Sequence, residues 1–371
     1  MGKLGDIFHA HGPEYRKRFA KDMSLDQLRA MSAIETCHTS AAGSALWRCP
    51  RCDYGHFTYQ GCGNRHCPSC GSSASAQWLR KQCALLLPGV TYHLVTFTVA
   101  EALRSPVRSH PRELLEKLIR TSSSTLLDMC GNPKWVGGVA GATAVLHTWT
   151  RQGIYHPHVH FIVTGGALDA KGIWHCSHPK FLVPVSALSS VFRARLRDAI
   201  KDDHPELFAL IKSSAWSDKK WVVHSEPVGS GEHAYRYLAR YVHQVYLSER
   251  AILQHDANCI TLRYRESGSE KVRTLRLKPM EFIRRFLQHV LPSRFCKIRH
   301  YGLHHSSKRK TIRLLQAAMN IAQGKDMPEQ ESEQAVGIAC PKCKAMMEFK
   351  KRFTRLQRIA YEQASPRGPP L

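Results

Sequence analysis

Apolar and polar residues alternate, cluster and break along the chain in a way that divides it into elements. VTYHLVTFTV (90–99) is β-branched and aromatic and predicts a strand. Over 111–128 the apolar residues Leu114, Leu115, Leu118 and Ile119 recur at helical spacing. The second half of VGGVAGATAVLHTW (136–149) and the segment HPHVHFIVTGG (156–166) predict two further strands, joined by a short hairpin through Gly153. WVVHSEPV (221–228) predicts another strand, and AYRYLARYVHQVYLSER (234–250) a helix. CITLRYR and KVRTLRL (259–265 and 271–277) flank ESGSE as a hairpin, and MEFIRRFLQHVL (280–291) is an amphipathic helix. Upstream, Ser24 stands where it can cap a helix over 24–36.

Between and beyond these elements the texture changes. HHSSKRK (304–310) is basic and solvated, and GKDMPEQESEQA (324–335) is acidic and poor in apolar residues, which predicts a linker. A CPKC pair (340–343) follows, and the final SPRGPPL predicts disorder. The chain divides on this basis into a cysteine-rich module (1–86), a central domain (87–315) and a basic, flexible C-terminal region (316–371). There is no internal repeat.

With 43% hydrophobic and 22% charged residues the 371-residue chain is of globular composition, which excludes a wholly disordered protein. Its charge is unusual. Lys plus Arg number 54 against 29 Asp plus Glu, a formal net charge of +25 that favours a polyanionic partner. A ribosome-associated or membrane-surface protein is the plainer alternative. No run of about 18 residues is both apolar and uncharged, and the first residues lack the order of a signal peptide, so a cytoplasmic protein is expected.

Thirteen cysteines, an odd number without an export signal, argue for metal-binding or buried thiols rather than disulfides. Six of them lie between positions 37 and 70. Cys49-x2-Cys52 and Cys67-x2-Cys70 stand 14 residues apart. Two such knuckles can supply the four thiolates of a tetrahedral structural Zn²⁺, as in a zinc ribbon. Cys37, Cys62 and His66 then either form a second site, completed by His9 or His11, or pack in the core. Cys340 and Cys343 are half a site without an evident partner. Arg65, beside the second knuckle, can reach a phosphate.

Two further groups carry chemistry. In the 156–166 strand, alternation places His158 and His160 on one face and Val159 on the other, a pair suited to a divalent metal. In the 234–250 helix, Tyr237 and Tyr241 are four residues apart and share a face, whereas Tyr246 points away and Tyr235 is offset. A strand with His-hydrophobic-His followed by a helix with Tyr-x3-Tyr is the signature of HUH endonucleases. The chain resembles the two-tyrosine HUH transposases of IS91-like insertion sequences from about residue 30 to 315. The resemblance rests on CPRCDYGHFTYQGCGNRHCPSC, LVTFTVAEALR (94–104), VLHTWTRQGIYHPHVHFIVTGGAL (145–168), YRYLARYVHQVYLSERAI (235–252) and RHYGLHHSSKRK (299–310), in this order.

That resemblance implies an α+β protein: an HUH-type nuclease domain, an antiparallel sheet with helices on one side, preceded by a zinc-ribbon-like domain. It implies a transposase that nicks and rejoins single-stranded DNA by rolling-circle-like transfer. A metal, Mg²⁺ or Mn²⁺, at His158 and His160 polarises the scissile phosphate, and Tyr237 or Tyr241 attacks to form a 5′-phosphotyrosine. A third ligand is expected: first Gln152, on the strand paired with the histidines, with His243, Gln244 and His147 as alternatives. Arg236, Arg240, Lys308, Arg309 and Lys310 are expected to contact DNA phosphates, with Arg250 and the hairpin arginines Arg263, Arg265, Arg273 and Arg276 adding charge. Trp149 and Tyr264 are candidates for stacking on unpaired bases. Self-association, host replication proteins and the bacterial nucleoid complete the expected setting. The rival functions are a plasmid replication initiator, a non-catalytic zinc-ribbon DNA-binding protein and a zinc hydrolase.

Overall fold

The computed structural model describes residues 2–364 except 179, 218–220, 243–246, 267–270 and 323–336. Within that span the side chains of residues 72, 73, 240, 241 and 362–364 are not described. The predicted linker, the final SPRGPPL, and His243, Gln244 and Tyr246 therefore lie outside the described residues.

The chain forms two compact units that interleave along the sequence. One joins Met1–Gly71, Leu247–Arg284 and Pro328–Leu371; the other joins Ser72–Tyr246 and Arg285–Met327. The expected sequential division at 86 and 315 is replaced by this arrangement, because strand pairing brings distant segments together.

The second unit is built on one antiparallel sheet. From edge to edge its strands are Ile298–Gly302, Val139–Trp149, Tyr155–Leu168, Tyr92–Thr98 and Val222–Pro227, with Trp174–Cys176 added to Tyr155–Leu168. The strand that carries His158 and His160 is thus central. On one face, the helices Pro111–Gly131 and Val185–Asp203 bury Leu114, Leu118 and Phe192 against Phe97, Val159 and Phe161. On the other face, the helix Glu232–Val242 packs Tyr235, Leu238 and Val242 against Tyr92, Val145 and Ile162. Helices cover both faces rather than the one expected, because strand residues at even and odd positions are both apolar and each row needs a cover. The tyrosine helix starts two residues earlier than predicted. It does not extend to 250, since Glu249–Ala251 forms a 3₁₀ turn that carries Arg250.

One ion pair fixes an edge of this sheet. Arg299, from the edge strand, donates to both carboxylate oxygens of Glu116 on the Pro111–Gly131 helix, at 2.9 and 2.5 Å. The Arg299 guanidinium holds the Glu116 carboxyl down at about 2. An unfolded Glu titrates near 4.3, so the pair's contribution is complete above that pH and is lost as pH falls toward 2. Glu116→Gln should therefore cost about 1–2 kcal/mol at pH 7, allowing for partial exposure. Denaturant unfolding at several pH values checks this: the gap from wild type must narrow below about pH 4.3, and a gap independent of pH would refute the assignment.

The first unit holds two small sheets. Its N-terminal helices are Lys3–Phe19, which the sequence pattern did not predict, and Leu25–Thr36. Ser24 caps the second as expected, in a capping box with Gln27. One sheet has the order Ile338–Ala339, Met346–Phe353, Ser44–Arg48, Gly55–Tyr59, all antiparallel. The other is Val272–Leu277, Ile260–Arg265, Ile252–His255, which contains the predicted hairpin. The C-terminal region expected to be flexible instead supplies two strands and the helix Arg355–Ala364. It is ordered because Met346–Phe353 hydrogen-bonds along Ser44–Arg48 and buries Met347 and Phe353. The basic run 304–310 is exposed from His305 onward, as expected. It makes a 3₁₀ turn and opens the helix Arg309–Ala322.

Candidate metal centre and nucleophile

His158 and His160 share a face of the central strand, as alternation requires. Their Nε2 atoms stand 3.1 Å apart. His158 Nδ1 lies 2.7 Å from the His156 carbonyl, which only accepts, so this nitrogen is the one that carries hydrogen and the Nε2 lone pair faces the site. His160 Nδ1 is held by Thr96 Oγ1 at 2.8 Å from the neighbouring strand. Such outer hydrogen bonds fix ring orientation and tautomer at metal sites.

The third imidazole is His147. It lies directly opposite His158 on the paired strand, and the three rings offer nitrogens all within 4.8 Å of one another. A bulge makes this possible. From Ala142 to His147 the two strands pair in one register, but Trp149 pairs with Tyr155. One extra residue is thus taken up on the histidine strand around His156 and Pro157. Without it His147 would oppose Pro157 and face away from His158. Proline has no N–H for the ladder and is tolerated at such a bulge.

Burial keeps the three rings neutral, the form in which imidazole binds metal. It brings His158 down to about 4 and pushes His147 and His160 well below their usual range. For His147 the neighbouring His160, His158 and Lys297 add to that effect.

Gln152, the expected third ligand, is not on a strand. The paired strand ends at Trp149, and Gln152 lies in the turn before Tyr155, where its carbonyl accepts from Arg285 at 3.1 Å. Trp149 is not free to receive a base. It is buried and stacks on His147, ring centroids 4.8 Å apart. Tyr264 is half-buried on its strand.

The tyrosine helix lies over the histidine face. The Tyr237 ring stands perpendicular to His160, centroids 6.5 Å apart. Tyr241 lies one turn further along the helix backbone, which is as far as its position is described. Tyr235 has a different part: it is buried, and its hydroxyl meets Thr143 Oγ1 at 3.1 Å. Thr143 also meets His304 Nδ1 at 2.9 Å and His300 Nδ1 at 3.2 Å, so a buried polar cluster ties the tyrosine helix to the sheet. Thr96, Thr143 and His304 were not picked out from the sequence. Only the placement of Thr96 two residues before a strand's end, in register with His160, could have marked it.

Of the expected phosphate contacts, Lys308, Arg309 and Lys310 are exposed around the start of the Arg309–Ala322 helix. Arg236 is exposed but engaged by Glu232 one turn earlier, Nε–Oε1 2.9 Å. Arg65 is half-buried beside the second knuckle.

The cysteines regroup. The expected quartet Cys49, Cys52, Cys67, Cys70 does not form. Cys67 and Cys70 instead join Cys37 and Cys62, and Cys49 and Cys52 join Cys340 and Cys343, each quartet with its sulfurs within 4.8 Å. The reason is local geometry. Cys67-Pro68-Ser69-Cys70 opens the helix Pro68–Cys83, whereas Cys49–Cys52 sits at the tip of a β-hairpin. His66 is not in either quartet; its ring Nδ1 and its backbone N–H turn to Asn64 Oδ1. With four thiols present, neither His9 nor His11 is needed. Gly61 lets the chain pass the first quartet, since a Cβ there would come within 2.7 Å of Cys70 Sγ. Four thiols at each position suit a structural Zn²⁺.

Comparison with known proteins supports the same assignment. Residues 7–99 match a family model described as "Transposase zinc-binding domain", and residues 141–311 one described as "Putative transposase". The chain is 34% identical over 320 residues to "Putative transposase y4qJ" of Sinorhizobium fredii (strain NBRC 101917 / NGR234), covering 81% of this chain and 79% of that protein. It is 29% identical over 302 residues to "Transposase for insertion sequence element IS801" of Pseudomonas savastanoi pv. phaseolicola, covering 76% and 70%. No solved structure matches it. Among the described residues no helix is long and apolar enough to cross a membrane. The chain belongs to the IS91-like family of insertion-sequence transposases, with a zinc-binding domain joined to an α+β transposase domain.

Proposed function

We propose that this transposase nicks and rejoins single-stranded DNA through tyrosine, moving its element by rolling-circle-like transfer in the bacterial cytoplasm, at the nucleoid. The observation that carries the proposal is Tyr237 beside a cluster of three neutral imidazoles, His147 and His158 buried and His160 half-buried. His147, His158 and His160 would hold a divalent cation, with His147 in the place first expected for Gln152. Three nitrogen donors suit a first-row transition ion better than Mg²⁺, which prefers oxygen. Such an ion supplies Lewis-acid polarisation of a phosphate oxygen.

The chain's own residues do the rest. Thr96 and the His156 carbonyl hold the imidazoles in orientation. The anchored helix presents the Tyr237 hydroxyl, which attacks phosphorus and displaces the 3′ oxygen, leaving a 5′-phosphotyrosine and a free 3′-OH. Reversal by another 3′-OH rejoins DNA without ATP, because the phosphodiester energy is kept in the phosphotyrosine bond. Tyr241, one turn along, is the second nucleophile. Lys308, Arg309, Lys310, Arg236 and Arg240 would neutralise DNA phosphates, a contribution to affinity rather than to sequence choice.

The test is incubation of the full chain with Mn²⁺ or Mg²⁺ and labelled single-stranded DNA bearing the ends of its own element, followed by denaturing electrophoresis. A covalent protein–DNA band is expected, stronger with Mn²⁺, reduced by Tyr237→Phe and lost when Tyr241→Phe is added. A band that survives the double substitution, or DNA bound without any band, would overturn the proposal.

A further inference from the structure

We propose that Cys49, Cys52, Cys340 and Cys343 form a second structural zinc site, which makes the C-terminal segment the missing half of a zinc ribbon. The site goes beyond the catalytic proposal and does not depend on it. Cys340 and Cys343 lie outside both segments matched by the family models, 7–99 and 141–311.

Three observations carry it. First, the two knuckles are built alike. Cys49-Pro-Arg-Cys52 and Cys340-Pro-Lys-Cys343 are each preceded and followed by a strand of the same four-stranded sheet. In each, the first cysteine's N–H bonds a carbonyl five residues on, Tyr54 at 2.9 Å and Ala345 at 2.8 Å. In each, its carbonyl accepts from the residue after the second cysteine, Asp53 or Lys344, both at 2.9 Å. Those two residues share the left-handed backbone conformation, φ 53° and 63°. Two segments about 290 positions apart thus fold into the same turn, and both turns direct their thiols to one point.

Second, the sulfur spacing fits zinc and not a disulfide. Cys49 and Cys343 sulfurs are 3.4 Å apart, and Cys52 and Cys340 sulfurs 3.6 Å. Tetrahedral zinc with Zn–S near 2.3 Å sets thiolates roughly 3.8 Å apart, while a disulfide would bring them to about 2.05 Å. The other quartet has the same spacing, 3.5 Å for Cys37–Cys70 and 3.7 Å for Cys62–Cys70.

Third, among the described residues the apolar core at this corner is small. The buried apolar cluster around it consists of Cys49, Cys340 and Met347, with Trp47, Tyr54, Ile338, Cys343 and Ala345 packed against it. A core of that size does not fold a hairpin by itself, and small domains of this kind rely on metal.

The test is the count of cysteine-bound zinc in the full-length chain. Zinc is released by a thiol-directed mercurial, after dialysis that strips weakly held ions. Wild type should release two zinc ions per chain, Cys340→Ser/Cys343→Ser one, and Cys130→Ser, a buried cysteine of the other unit, two. Cys343→His, which keeps a ligand, should restore the second ion. One zinc in wild type, or two in the Cys340→Ser/Cys343→Ser variant, would overturn the proposal. If that variant does not fold, alkylation of wild type decides. The solvent-exposed Cys52 should react with iodoacetamide only after chelation. Reaction as fast as that of the exposed Cys296 in untreated protein would equally overturn it. None of these readouts uses DNA cleavage, so failure here leaves the tyrosine proposal standing, and the reverse.

Discussion

Replacing His158 with alanine should lower DNA nicking by roughly a thousandfold, because a divalent cation contributes several kcal/mol to a phosphoryl transition state. The expectation is specific to this ring. His158 sits between His147, opposite it in the ladder, and His160, whose Nε2 is 3.1 Å away. Its loss breaks the cluster, while the Tyr237–His160 arrangement and the buried anchor of Tyr235 on Thr143 remain in place. The fall should thus come with weaker metal binding. At Mn²⁺ one hundred times its dissociation constant, wild type gains about 2.7 kcal/mol of stability, and the variant should gain none at the same concentration. Nicking rates and thermal unfolding across a Mn²⁺ titration check both. A variant that nicks at the wild-type rate, or that keeps the Mn²⁺-dependent stabilisation, would remove His158 from the site.

A second large effect is expected at Cys67. Its thiol is buried in the quartet with Cys37, Cys62 and Cys70, at 3.6 Å from Cys37. Structural zinc in a small domain is worth on the order of 10 kcal/mol at neutral pH, more than most domains have in reserve. Cys67→Ser should therefore unfold the first unit and abolish binding of element ends, and excess chelator should do the same to wild type. Limited proteolysis would show it, with new cuts within 1–71. A Cys67→Ser chain as resistant to protease as wild type, and still binding element ends, would mean that this quartet is packing alone.

The histidine pair was legible because a strand's period of two is fixed: whatever the register, His158 and His160 share a face. His147 was not, because its face depends on where the hairpin inserts a residue. A regular hairpin through Gly153 would have turned it away, and only the bulge at His156 and Pro157 brings it round. Gln152 failed for the related reason that the strand stops at Trp149.

For the cysteines, the sequence shows three CPxC motifs but not which two share a metal. Proximity along the chain favoured 49–52 with 67–70. The better cue was context, since CPRC and CPKC are each followed closely by an alternating, β-prone run, GHFTY or MMEFKKRF, while CPSC runs into SSASAQWLRKQ, which is helical. Tyr237 and Tyr241 were legible from helical spacing, but the 3₁₀ turn at Glu249–Ala251 was not, as no proline or glycine marks it.

The pairing of Ser44 with Phe353 has a consequence in time. During synthesis the strand at Ser44–Arg48 emerges early, and its partner Met346–Phe353 follows roughly 300 residues later. At about 5–20 residues per second that is some fifteen seconds to a minute. Throughout that interval one edge of the nascent hairpin is open, and so are the thiols at its tip. Closure of the amino-terminal sheet thus waits on Met346–Phe353, and a ribosome that stops short of residue 346 leaves a chain in which that sheet cannot close.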